Sequence, residues 1–283
     1  MAFDAKRIPA SLKEAYQHGR CAVLVGAGAS KGAGLPLWGE FLSKLVEVAE
    51  HDALIDADRA AMYQSLLARP EKFLMAAAAI KNELGSLFDE TVERIFTKSG
   101  AVPTDLHKSL VKLKLPFVLT TNYDTLIEDA YAQTGNRVAA SSFVDAGDVH
   151  RRLSRREFFL LKAHGDAARV GNGIILTEVD YRKLLYGNPG YRSILSVMFT
   201  MYSIVFIGAS MADPEINLLL GYIADSFSST SGPMHYALLA DEDITEAEQE
   251  RWRSDFKVHI IRISKADNYL ELTHFLDSLA TVN

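Results

Sequence analysis

Three short stretches of this sequence carry groups that could do chemistry on a nucleotide. VLVGAGASKGAGLP at residues 23–36 has the pattern of a strand ending in a glycine-rich turn. TTNYD at residues 120–124 and KAHGD at residues 162–166 each set one capable side chain, Asn122 or His164, just past an apolar run. Glycine lets the backbone take positive φ and approach an anion closely. The amides of Gly26, Ala27, Gly28 and Ser30, in a turn extended by Gly32 and Gly34, could therefore meet a pyrophosphate. A helix start behind the turn would add a favourable partial charge. A strand-end amide such as Asn122 can order water or a sugar hydroxyl, and an imidazole can take up a proton near neutral pH. These are the parts needed to hold a dinucleotide and act on its sugar.

The same residues exclude some chemistry and leave other readings open. No Gly-Lys-Ser/Thr triplet closes the turn, so it is not a P-loop. A dehydrogenase site needs a second strand ending in an acid about 20 residues on, whereas residues 40–50 (EFLSKLVEVAE) have helical spacing. Asp124, with Thr121 beside the same turn, is either the cap of the next helix or a polar group of the site. Asn122 is either a turn former or a working amide, and both roles are compatible. His107 and His274 fall on amphipathic helices and His235 and His259 at strand starts, which reads as structural. No His, Cys and carboxylate cluster has ligand spacing, so no metal is expected. The single cysteine, Cys21, can form neither an internal disulfide nor a four-cysteine zinc site, and reads as a small buried hydrophobe.

The pattern along the chain shows what must position these groups. Residues 8–20 read as a helix and residues 21–26 as a buried strand. Residues 38–96 have helical spacing throughout, with apolar faces at Leu42, Leu45 and Val46 and at Phe73 and Leu74, broken at Arg69-Pro70. Beyond Pro103 helices and strands alternate. Helices are expected at 105–113, 125–134, 191–202 and 269–280, and strands at 117–121, 158–163, 203–208, 236–240 and 258–263. This predicts an α/β fold, a doubly wound, parallel, Rossmann-like sheet with a helical insertion at about 40–100 after the first strand, in one domain spanning 1–283. Such sheets bind ligands outside the carboxyl ends of their strands. The glycine turn, Asn122, His164 and Gly208-Ala209-Ser210 all fall at those ends. Residues 226–233 (SFSSTSGP) read as a loop.

A formal net charge of −6 over 283 residues argues against direct nucleic-acid binding. The local exception, HRRLSRR at residues 150–156, is either a solvated helix face or a contact for a partner or phosphate. No run approaches the ~18 apolar residues of a membrane span, and the first twenty residues lack a signal-peptide core. The expectation is a cytoplasmic protein without a membrane partner.

GAGAS with GLP, TTNYD, HGD and FIGAS at residues 206–210, in that order, resemble the sirtuin superfamily, and within it the bacterial sirtuin-like branch of NAD-hydrolysing anti-phage effectors. The likeness continues through ILTEVDYRKLL at residues 175–185 and IGASMADPEI at residues 207–216. It implies that NAD+ is the substrate and that Asn122 contacts the ribose and orients water. It also implies that His164 is the base and that Gly26–Ser30 and Gly208–Ser210 hold the pyrophosphate and adenosine side. Two departures narrow it. The four-cysteine zinc lobe of the deacylases has no counterpart, and Leu37-Trp38-Gly39 stands where they carry Asp-Phe-Arg. The resemblance thus implies an NAD+ glycohydrolase that needs no metal. The rivals are a zinc-free deacylase or ADP-ribosyltransferase, and a non-catalytic NAD or ADP-ribose sensor. Because the resemblance covers nearly the whole chain, control is expected through assembly, as a homo-oligomer and with a separately encoded partner such as a HerA-type ATPase, an Argonaute-type protein or a phage component.

Overall fold

A computed structural model describes residues 3–209, 211, 216–218, 220–221, 224 and 232–282. Seven strands form one all-parallel sheet in the order β3-β4-β2-β1-β5-β6-β7. They are β1 (Cys21–Val25), β2 (Phe117–Thr120), β3 (Ala140–Ser142), β4 (Phe159–Lys162), β5 (Ser203–Ile207), β6 (His235–Ala240) and β7 (Val258–Ile263). Six answer to the predicted strands. The edge strand β3 was not expected: with three residues, two of them serine, it carries no apolar run to read.

Alternate residues of each strand enter opposite cores, as a strand's period of two requires. Cys21, Val23 and Val25 face one layer with Val118, Val205 and Ile207, under α1 (Ala10–Gln17) and a long C-terminal helix. Ala22 and Leu24 face the other with Leu119 and Phe206, against Tyr181, Leu195 and Met198. Both faces being covered explains why the strands read as continuous apolar runs rather than alternating ones.

The predicted insertion is four helices between β1 and β2: α2 (Trp38–His51), α3 (Ala57–Leu67), α4 (Phe73–Leu84) and α5 (Leu87–Phe96). They share a third core with Tyr123, Leu126, Ala167 and Ile174, residues of the loops beyond β2 and β4. The insertion therefore packs over the carboxyl edge of the sheet. Further along come α6 (Asp105–Leu110), α7 (Leu126–Gln133), α8 (Ala146–Arg155), α9 (Glu178–Gly187), α10 (Pro189–Met201), α11 (Glu246–Phe256) and the closing helix α12 (Ala266–Ala280). No helix among the described residues is long and apolar enough to cross a membrane. The expected loop at residues 226–233 lies almost wholly outside the described residues.

The basic run on α8 is partly paired within the fold, two carboxylates meeting three of its four arginines. Arg151 and Arg152 pair with Asp148, and Arg151 and Arg155 reach Glu157.

His235 shows how buried polar groups are satisfied. Its Nδ1 accepts the Ile204 amide at 3.1 Å, between β6 and β5. Burial, then the nearby Lys257 charge, pushes its pKa down from 6.5 to about 4. The folded protein thus refuses a proton that the unfolded chain accepts. Stability from this site is full above pH 6.5 and drains as pH falls toward 4. At pH 4.5 the loss is about 2–3 kcal/mol relative to neutral pH. Urea unfolding of wild type and His235→Asn at pH 7 and 4.5 checks this: the variant's acid loss is expected to be smaller by about that amount. Equal acid losses would contradict it.

Candidate functional site

The strand order reverses direction at β1, whose neighbours are β2 on one side and β5 on the other. At such a switch point the loops leaving adjacent strands diverge and open a crevice. Here the crevice is a cavity of about 610 Å³. It is lined by Gly26, Ala27, Gly28 and Ser30 after β1 and by Thr121, Asn122 and Asp124 after β2. His164 after β4 and Gly208 and Ala209 after β5 also line it. Ser210 lies outside the described residues. One cavity thus gathers the predicted groups from four loops.

The glycines of the first turn serve a purpose other than the expected one. A Cβ on Gly26 would sit 2.5 Å from Cα of Ala209, and one on Gly208, at φ +59, would sit 2.4 Å from the Ala29 nitrogen. Bare backbone is needed because the two turns touch. Gly28 N–H donates to the Gly208 carbonyl at 2.8 Å and Gly26 N–H to that of Ile207 at 2.9 Å, while Ala29 and Ser30 donate within the turn. Of the amides the sequence offered to an anion, those of Gly26, Gly28 and Ser30 are therefore already engaged, and that of Ala27 is left. Nor does a long helix start there. Two 3₁₀ turns follow, and α2 begins only at Trp38, with the Leu37 amide already held by Glu40 at 2.8 Å.

Around Asn122 a polar chain crosses from β2 to β1. Asn122 Nδ2 donates to Ser30 Oγ at 3.0 Å, and Ser30 Oγ donates to Asp124 Oδ2 at 2.9 Å. The other Asp124 oxygen accepts the Leu126 amide at 3.0 Å. Asp124 thus braces the start of α7 from just ahead of its cap residue, Thr125, and lines the cavity. Among the described residues the buried Asn122 Oδ1 has no hydrogen-bond partner. A buried carbonyl oxygen without a donor carries a penalty of about 1–3 kcal/mol, which a ligand hydroxyl or water would relieve. Behind Asp124 lies His107, buried on α6 and bonded to Thr104. Burial holds its pKa below the ordinary imidazole value, and the Asp124 charge opposes that shift.

His164 is buried and stands edge-on to Tyr181 of α9, with ring centroids 5.2 Å apart. It sits at the head of a turn in which Gly165, at φ +101, leaves no room for a Cβ, which would lie 2.5 Å from the Gly173 carbonyl. Lys162, fully buried at the end of β4, ties this turn down. Its ammonium lies 2.8 Å from Asp166, 2.9 Å from Glu128 and 3.4 Å from the Tyr123 carbonyl. It thereby links the turn carrying His164 to the loop carrying Asn122. Burial works against the Lys162 charge, but the Glu128 and Asp166 carboxylates outweigh it and hold its pKa above the usual value. Asp166, despite burial, is held below its ordinary range by Lys162.

Sequence reasoning did not assign Tyr181, Phe73, Asp243 or Tyr269 to the site, yet all line the cavity, as does Trp38. Trp38 and Phe73 meet edge-to-face at 5.4 Å, making an aromatic wall from the insertion. Among the described residues no group of three or more His, Cys, Asp or Glu is placed to hold a metal ion.

Residues 116–261, just over half of the chain, match the sequence profile of the SIR2-like domain. The chain belongs to this family. The matched stretch contains Asn122, His164 and Gly208. The chain is similar to Defense-associated sirtuin 2 of Bacillus subtilis, 26% identical over 214 residues, which cover 75% of this chain and 20% of that protein. It is also similar to the NAD(+) hydrolase ThsA of Bacillus cereus (strain MSX-D12), 24% identical over 270 residues, covering 91% and 53%. ThsA of Acinetobacter baumannii (strain 532279) is 26% identical over 271 residues, covering 91% and 52%. This SIR2-like chain therefore spans about half the length of these two hydrolases, and a fifth of the defense-associated sirtuin.

Proposed function

We propose that the cavity binds NAD+ and hydrolyses it to nicotinamide and ADP-ribose. The observation that carries this reading is the pairing of Asn122, whose buried Oδ1 has no partner among the described residues, with His164 in one cavity at the switch point. Resemblance to relatives named as NAD(+) hydrolases supports it. The bond from the ribose C1′ to the nicotinamide nitrogen breaks, and its electron pair neutralises the pyridinium. The sugar is left oxocarbenium-like. Asn122 Oδ1 accepts a hydrogen bond from a ribose hydroxyl or from the attacking water, while Ser30 and Asp124 hold the amide in that orientation. Water adds at C1′ and its proton passes to His164 and then to solvent. Base assistance of this kind is worth roughly 10²–10⁴-fold. The aromatic wall of Trp38 and Phe73 shields the reacting centre, and Gly208 and Ala209 flank the phosphates.

The same proposal places the protein in the cytoplasm as an NAD-depleting defence effector. It acts there as an oligomer held in check by a separately encoded partner, because an unrestrained enzyme would empty its own cell of NAD+. Needing no metal, it also needs no acyl-lysine substrate. Nicotinamide release, followed with NAD+ alone and with an added acetyl-lysine peptide, is expected to be equal within about two-fold, as uniform independence of a second substrate requires. Turnover that appears only with the peptide would make the chain a deacylase instead.

A further inference from the structure

A diphosphate brings two negative charges into this cavity, and the means of meeting them are few. Among the described residues that line it, Lys31 is the one lysine or arginine. The three lining carboxylates are already engaged: Glu40 with the Leu37 amide, Asp124 with Ser30 and the Leu126 amide, and Asp243 with Lys265. Among the described residues the amides of Gly26, Gly28, Ala29 and Ser30 donate to protein carbonyls, which leaves the first turn only that of Ala27 for an anion. The loop beyond β5 cannot add a cation, because the sequence holds no Lys or Arg between Arg192 and Arg251.

Lys31 follows Ser30 directly and begins the second 3₁₀ turn. It is exposed, and no described residue forms an ion pair or hydrogen bond with its ammonium. The turn that carries it is fixed from behind. A Cβ on the adjacent Gly32 would lie 3.2 Å from Asn268 Nδ2, in a segment where Asp267, Asn268 and Tyr269 all take positive φ. Tyr269, from that segment, also lines the cavity.

We propose that Lys31 binds the diphosphate of the substrate, and so sets the site's preference for dinucleotides over nucleosides. The proposal rests on the NAD+ reading above. A flexible ammonium suits this role: it acts as a point charge that can follow the phosphates as they seat, where a guanidinium would impose a fork.

Calorimetry with ADP-ribose and with adenosine, on wild type, Lys31→Gln and Lys31→Arg, tests it. Loss of one charge-assisted contact is expected to weaken ADP-ribose binding by Lys31→Gln about ten-fold, with adenosine binding the same to both. Lys31→Arg is expected to recover most of the loss. Raising salt should bring wild type toward Lys31→Gln, as screening of an exposed charge demands. In turnover, Lys31→Gln is expected to raise KM for NAD+ more than it lowers kcat. Unchanged ADP-ribose affinity in Lys31→Gln, or equal losses for ADP-ribose and adenosine, would overturn the assignment of Lys31. A wild-type chain that binds neither ADP-ribose nor NAD+ would instead overturn the NAD+ reading, and this proposal with it.

Discussion

Asn122→Ala and His164→Ala are each expected to slow nicotinamide release from NAD+ by about 10²–10⁴-fold, the span of a lost general base or its positioned water, while NAD+ still binds. The two act at different points. His164→Ala removes the proton acceptor and leaves the Asn122–Ser30–Asp124 chain as it stands. Asn122→Ala removes the free Oδ1 and one donor to Ser30, whose own bond to Asp124 persists. Neither change opens the sheet core, because both side chains sit past the last paired residues of their strands. The measurement is kcat beside a calorimetric Kd for each variant. Wild-type kcat in a folded variant would remove that residue from the mechanism.

Lys162→Met is expected to have the largest effect on stability. It deletes a fully buried charge and leaves Glu128 and Asp166 facing each other across the gap. Breaking a buried pair by removing one partner costs about 3–5 kcal/mol. Asp166 keeps the Ala168 amide and Arg169, so the penalty falls mainly on Glu128. Among the described residues one oxygen of Glu128 already lacks a partner, and burial holds its pKa above the ordinary carboxylate value. The double variant with Glu128→Gln should therefore regain part of the loss, since the two sites are coupled. Urea midpoints of the single and double variants check this. A loss below about 1 kcal/mol for Lys162→Met, the value of an exposed pair, would show that the buried cluster does not bind the two loops together.

How much of this was legible beforehand follows from what each feature depends on. The strands other than β3 are apolar runs ended by glycine or a polar residue, and a run of that kind has few other uses in a chain of alternating helices. Asn122 and His164 were legible because a polar group directly after such a run must lie at the carboxyl edge. The side chains that complete the cavity were not. Trp38, Phe73 and Tyr181 come from helices, where an aromatic at helical spacing looks like core. They meet only because the insertion folds back over the sheet. Asp243 and Tyr269 arrive from beyond β6 and inside α12. The glycine turn was found for a reason that proved incomplete. Its missing side chains make room for the turn after β5, a contact between residues some 180 positions apart that no local pattern encodes. The buried lysine of KAHGD had no reading either, because its partners Glu128 and Asp166 stand on two separate elements.

This chain by itself is expected both to hold NAD+ and to cleave it. Incubating the purified protein with NAD+ and quantifying substrate and products by chromatography tests that most directly. NAD+ is expected to disappear while nicotinamide and ADP-ribose appear in equal amounts, at a rate proportional to protein. Intact NAD+ in a sample where calorimetry shows it bound would make the cavity a binding site rather than a hydrolase.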